Sequence, residues 1–252
     1  MSFKVVIPAR YGSTRLPAKA IASIAGRPMI QWVVDAARRS AAAAVLVATD
    51  DARVAEVVEP RDCVVMTRAD HVSGTDRIAE VAQQRGWGDA DIVVNVQGDE
   101  PQLPPALIDQ VAALLARDAR ADLATLSTPI GSLQEFLDPN VVKVVTAGDG
   151  AALYFSRAPI PWHRDGAPQG LTSQTSVAGA QRHLGIYAYR VASLRQMTAL
   201  PPSSLETTEK LEQLRALQSG MRILVAEACA TPGIGVDTEH DLARARAALG
   251  GV

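Results

Sequence analysis

The chain has 252 residues, 48% of them hydrophobic and 21% charged, with a formal net charge of −2. That size provides for a sizeable core in one α/β unit, and the near-neutral balance argues against the broad basic face that general nucleic-acid or membrane binding needs. The longest apolar run, 41–48, is too short to span a bilayer, the opening MSFKVVI meets Pro8 and Arg10 too soon for a secretory core, and Cys63 and Cys229 lie far apart; the reading is a cytoplasmic, soluble chain without a disulfide.

Residues 3–7 open the chain as an apolar strand, and 45–48, 64–66 and 92–96 repeat the pattern, rich in Val and Ile without polar alternation. Continuous runs of this length suit strands covered on both faces, as in a parallel sheet. Between them lie helix signals. Pro28 stands at a plausible first helical position, followed by Ile30, Val33, Val34 and Ala37 on one face, and 75–84 and 105–116 read similarly. The alternation predicts a three-layer, doubly wound α/β fold with a mostly parallel sheet. Further on, 141–145, 153–155 and 183–190 read as strands, and 159–181 is an irregular stretch poor in large apolar residues. Ser203 followed by Glu206 forms a capping box for a helix running to about Ser219, and Thr238 caps a last helix. No linker divides the chain, which reads as a single domain over 1–252.

In a parallel sheet, ligands bind beyond the carboxyl ends of the strands. The loop IPARYGSTRLPAK after the first strand carries Arg10, Arg15 and Lys19 with Gly12, Ser13 and Thr14, and no acid. It is neither a Walker loop nor a G-x-G-x-x-G fingerprint, and its cations and glycine turn suit a polyphosphate or, alternatively, a solvated surface loop. NVQGDEP, 95–101, places Asp99 at the same edge, as a hard oxygen ligand for Mg²⁺ or as a turn acid. GIGVDTEHDL offers Asp237 as a second carboxylate or a helix-start acid, after two glycines that permit close backbone approach. TRADHVSGTDR holds Ser73, Gly74, Thr75 and Arg77 before a helix, where they can read a base edge or cap the helix with Arg77 paired to Asp76 or Glu80.

The ordered set IPARYGSTRLPAK, TRADHVSGTDR, VNVQGDEP, ALYFSRAPIPW, RHLGIYAYR, LEQLR and GIGVDT closely resembles the motifs of the 3-deoxy-manno-octulosonate cytidylyltransferases, the CMP-KDO synthetases of lipopolysaccharide biosynthesis. The resemblance covers 3–246 and implies a nucleotidyltransferase of the nucleotide-diphospho-sugar transferase type, usually a homodimer, that converts CTP and KDO to CMP-KDO and pyrophosphate with Mg²⁺. It implies that Arg10, Ser13, Arg15 and Lys19 hold the CTP phosphates, with Arg10, Lys19 and Asp99 catalytic. Ser73, Gly74, Thr75, Arg77 and Gln97 would surround the cytidine, and Asp99 and Asp237 would hold magnesium. Arg157, His183, Tyr187, Glu212 and Gln213 would line the sugar-acid site, within a portion of about 135–225 that would also carry the dimer contact. Tyr187 as a core tyrosine and Glu212 as a solvent-facing helix residue are the plain alternatives. Ala18 stands where the family usually has Gly, Ala20 where it has Pro, and Asp76 where it often has Glu; 166–181 matches poorly, and no residue there is assigned. An enzyme for sialic acid or an 8-amino analogue of KDO is the nearest rival, and a catalytically silent nucleotide-binding protein is a rival of another class.

Overall fold

The computed structural model describes residues 2–12, 16–167 and 169–250. Four strands, β1 (Phe3–Pro8), β4 (Ala44–Thr49), β5 (Val64–Met66) and β6 (Ile92–Asn95), run parallel at one side of a nine-stranded sheet. They are the apolar runs of the first hundred residues. The hairpin of β2 (Ser23–Ile24) and β3 (Arg27–Pro28) stands apart from that sheet, turning through Ala25 and Gly26, both at positive φ.

Beyond β6 the order continues through β10 (Gln181–Arg190), β7 (Leu123–Pro129) and β11 (Ile223–Glu227). β10 is antiparallel to both neighbours, and β11 lies parallel to β7. The strands β8 (Lys143–Thr146) and β9 (Ala152–Ser156) branch from β10 as an antiparallel extension. The sheet is therefore mixed and mostly parallel, as expected. β7 and β11 extend it beyond the sequence reading; Thr125, Ser127 and Thr128 interrupt the apolar run in β7, although Thr125 and Ser127 are buried.

Successive side chains of a strand face opposite ways, and this sorts the layers. Val5 and Ile7 of β1 pack in one core with α1 (Met29–Arg38) and α4 (Pro105–Arg117). Val6 packs in a second core with α3 (Gly74–Gln84), α6 (Val191–Ala199) and α8 (Gln213–Gln218). Helices thus cover both faces, giving the three layers that continuous Val and Ile runs require. Short α2 (Ala52–Ala55), α5 (Leu133–Leu137) and α7 (Ser204–Glu209) decorate the edges, and α9 (Glu239–Leu249) closes the described chain.

Two boundaries differ from expectation. Pro28 is the N-cap of α1 and not its first residue. The capping box Ser203–Glu206 forms, but α7 stops at Lys210, which takes a left-handed conformation (φ 55), and α8 begins afresh. That break turns Glu212 and Gln213 inward instead of continuing one helix to Ser219. The Thr238 cap is present, with Asp241 completing its box. Cys63 is buried, Cys229 is exposed, and both are free thiols.

Candidate functional site

The loop after β1, the loop after β6 and the first turn of α3 meet at the carboxyl edge of the sheet. Arg10, Gly12, Lys19, Gly74, Gln97, Gly98 and Asp99 line a cleft there of about 380 Å³. Gly74 is the first residue of α3, so the positive end of that helix faces the cleft, where an anion is favoured. Lys19 Nζ donates to Asp99 Oδ2 at 2.5 Å and to Asp237 Oδ1 at 3.0 Å. Burial works against the charged ammonium, but the two carboxylates outweigh it and hold the Lys19 pKa above the ordinary lysine value.

The glycines of GIGVD bring Asp237 to this point. The backbone N–H of Val236 donates to the Asp99 carbonyl at 2.9 Å. A methyl on Gly233 would lie 2.3 Å from Cβ of Gln102, and one on Gly235 would lie 2.8 Å from Oε1 of Glu100. At Gly233 only a residue without a Cβ lets the segment lie on the loop after β6, whereas at Gly235 the end of the Glu100 side chain would have to turn aside. Behind it, Leu16, Ile24 and Met29 share a small core with Val236, Leu242 and Ala245, so α9 fastens the end of the loop after β1 to the same framework. Glu100 sits beside the pair; burial and then the Asp99 charge push its carboxyl up to about 7.

Two carboxylates that converge on one cation form a hard-oxygen pair, and among the described residues no group of three or more His, Cys, Asp or Glu is placed to hold a metal ion. Magnesium is commonly held by one or two carboxylates while phosphates and water supply its other ligands, so this donor set fits Mg²⁺.

Ala18 precedes the 3₁₀ turn Lys19–Ile21 with φ 55 and ψ 28, the left-handed region that disfavours a Cβ. Ala18→Gly is therefore expected to raise stability by about 0.5–1 kcal/mol, the relieved strain exceeding the added freedom of the unfolded chain. Thermal unfolding reads this directly, and a lowered melting temperature would contradict it.

A second cavity, about 190 Å³, adjoins the first and shares Gln97 as a wall. Thr75, Asn95, His183, Tyr187, Tyr189, Glu212 and Gln213 line it. The Tyr187 hydroxyl and Asn95 Oδ1 are buried here without a partner of hydrogen-bond geometry, which marks the cavity as one awaiting polar groups. Thr75 donates to Glu212 Oε2 at 2.8 Å, yet burial dominates and raises the Glu212 pKa. The His183 and Tyr187 rings lie 5.3 Å apart, and Phe155 meets His183 edge-on at 5.0 Å.

Burial, followed by the charge of Arg182, brings the His183 pKa down to about 3. The imidazole stays neutral in the folded chain and gains a proton on unfolding once the pH is below about 6.5. Its contribution to stability is complete above that pH and is lost as pH falls from 6.5 towards 3. Between pH 7.5 and 5, His183→Asn should lose about 2 kcal/mol less stability than the parent chain, one pH unit corresponding to about 1.4 kcal/mol. Urea unfolding at the two pH values measures the difference, and parallel slopes would refute it.

Other expected site residues lie elsewhere. Ser13 and Arg15 fall outside the described residues. Ser73 is the N-cap of α3, its hydroxyl and amide both engaged with Asp76. Arg77 is fully buried and pairs with Asp50 at 3.3 Å and Thr67, not with Asp76 or Glu80, and it lines neither cavity. The Arg157 guanidinium is bound to the carbonyls of Glu209 and Pro139 and also stays outside both cavities. Lys143, buried, holds the Arg157 carbonyl along with those of Asp138 and Val141. Asn95 and Tyr189 were not singled out from sequence, although a polar residue ending an apolar strand and a tyrosine two places from Tyr187 are visible signals. A further depression, an open groove of about 1180 Å³ along α3 and Arg195, has a lining of mixed charge and shares no residue with either cavity.

A cytidylyltransferase family profile matches residues 4–223. The chain is 56% identical to 3-deoxy-manno-octulosonate cytidylyltransferase of Cellvibrio japonicus, over 99% of this chain and 98% of the relative. The enzyme of the same name from Pseudomonas fluorescens is 53% identical, with 98% of each chain covered. Among solved structures, CMP:2-keto-3-deoxy-manno-octonic acid synthetase complexed with CTP superimposes with a TM-score of 0.87 at 42% identity, covering 98% of both chains.

Proposed function

This chain belongs to the 3-deoxy-manno-octulosonate cytidylyltransferase family, and from that premise we propose that it activates KDO with CTP, releasing pyrophosphate, for lipopolysaccharide biosynthesis. The observation that carries the reading is the shared wall at Gln97 between a cleft that carries Arg10, Lys19 and Asp99 and a cavity with two buried polar atoms that lack a partner of hydrogen-bond geometry. A bisubstrate reaction needs adjoining compartments of those two characters.

The triphosphate occupies the cleft, where Lys19 and Arg10 neutralise charge that grows on the α-phosphate and the departing pyrophosphate. The sugar acid occupies the second cavity, held by His183, Tyr187, Glu212 and Gln213. Its anomeric oxygen forms a bond to the α-phosphorus as the bond from that phosphorus to the β-bridging oxygen breaks in line, and the hydroxyl proton leaves to solvent. Positioning and electrostatics supply most of the catalysis in such transfers. Asp99 and Asp237 would hold magnesium, which when bound would supply neutralisation of phosphate charge. No side chain has to serve as a dedicated base.

We also read the protein as a cytoplasmic homodimer. No described helix is long and apolar enough to cross a membrane. Leu153, Trp162 and Leu171 expose apolar surface within the portion 135–225, where a second copy would cover it.

Pyrophosphate release from CTP, compared across KDO, its 8-amino analogue and sialic acid, tests the reading. KDO is expected to give the highest kcat/KM. Preference for either rival sugar moves the assignment to that substrate, and no release with any of the three removes the catalytic reading altogether.

A further inference from the structure

Four residues of an extended strand span about 13 Å, yet the rings of His183 and Tyr187 lie 5.3 Å apart. The cause is an irregularity in β10. Leu184 pairs with Leu126 of β7 and Tyr187 with Thr125, so Gly185 and Ile186 are extra residues with no partner in the ladder. Such a bulge bends the strand and redirects its side chains. Here it folds the His183 ring back toward Tyr187, on the wall of the second cavity.

One hydroxyl closes the bulge. Thr125, wholly buried on β7, places Oγ1 2.7 Å from the Ile186 carbonyl, 3.0 Å from the Leu184 carbonyl and 3.1 Å from Nε2 of His183. A threonine hydroxyl has one hydrogen and two lone pairs. Carbonyl oxygens can only accept, so the hydrogen goes to them, the Ile186 carbonyl being closest. Directing it at the imidazole instead would leave bare oxygens facing each other in a dry interior. The hydroxyl therefore presents a lone pair to His183.

We propose that Thr125 is a positioning residue that fixes the neutral His183 imidazole as its Nε2–H tautomer and leaves Nδ1 as a lone-pair acceptor for a sugar hydroxyl. The ring's partner on one nitrogen decides what the other nitrogen can do. Burial that disfavours the imidazolium agrees with this, since the charged ring would have no acceptor to offer. The part of the proposal that concerns sugar rests on the sugar-acid reading of the second cavity; the tautomer does not.

Long-range ¹H–¹⁵N correlation spectra of histidine-labelled protein, without substrate, decide the tautomer. His183 is expected to carry its proton on Nε2 in the parent chain and in Thr125→Ser. In Thr125→Val, which keeps the shape and removes the hydroxyl, the Nε2–H preference should be lost. KM for KDO should then rise about tenfold, the upper range for one uncharged hydrogen bond, with KM for CTP changed less than about twofold. Thr125→Ser should restore KDO binding. A parent His183 protonated on Nδ1 overturns the proposal without any variant, as does a Thr125→Val spectrum identical to the parent. A third variant separates the two readings: if Thr125→Val shifts the tautomer while His183→Asn leaves KM for KDO unchanged, the positioning of His183 by Thr125 stands and the sugar-acid assignment of the cavity fails.

Discussion

Lys19→Ala is expected to lower kcat/KM about a thousandfold, the scale on which removing a preorganised donor to transition-state charge is felt. Without nucleotide, the ammonium is shared between Asp99 and Asp237, so it stands where negative charge from two distant loops is gathered. On the proposed function, a triphosphate entering the cleft would bring more negative charge to that place, where Lys19 would balance it and the carboxylates would take a divalent ion. Removing Lys19 takes away the balance for the phosphates but leaves the fold. The Asp99 and Asp237 side chains are 30% and 47% exposed, and solvent screens charges so placed, so the melting temperature should move little. Added magnesium should stabilise the variant more than the parent, because the ammonium no longer competes for the carboxylates. Turnover at the parent rate would remove Lys19 from the phosphate site; a collapse in melting temperature would make its role structural.

The strands of the first hundred residues were legible because both faces of each are covered, which leaves unbroken runs of Val and Ile. The cationic loop was legible from its place after β1. The part of the sheet beyond β6 was harder to read. β7 carries polar residues that are satisfied inside the sheet, as Thr125 is, and α6 follows β10 without a turn residue to mark the junction. The α7–α8 break rests on a lysine at positive φ, and nothing in LETTEKLEQLR announces it, since the stretch holds no glycine, proline or asparagine to mark a stop. Sequence spacing could propose Asp99 and Asp237 as partners but could not bring them together; the contact depends on glycines whose neighbours are known only in three dimensions. Thr125 carried no signal, because a threonine in a strand is ordinary until its hydroxyl is seen against two carbonyls and a ring.

Gly233→Ala is expected to cost at least about 2 kcal/mol, in the range for overpacking against atoms that cannot yield, and to lower turnover about a hundredfold or more by displacing Asp237. The new methyl would meet Cβ of Gln102 at 2.3 Å, its carbonyl oxygen at 2.5 Å and its carbonyl carbon at 2.9 Å. Two of these atoms are backbone, so the GIGVD segment has to lift from the loop after β6. The bond from Val236 to the Asp99 carbonyl is then strained, and Asp237 leaves the Lys19 ammonium. Gly235→Ala should be milder, since its methyl meets the far end of the Glu100 side chain, which can turn away. Gly131→Ala, with no atom within 4 Å of the added carbon, serves as the neutral control. The order of damage in both urea unfolding and pyrophosphate release should be Gly233, then Gly235, then Gly131. An active, stable Gly233→Ala would mean that Asp237 is held by α9 and its small core alone. A Gly233→Ala chain that keeps its stability but loses turnover would show that the segment moved freely, and that the meeting of Asp237 with Asp99 and Lys19 is what the glycine protects.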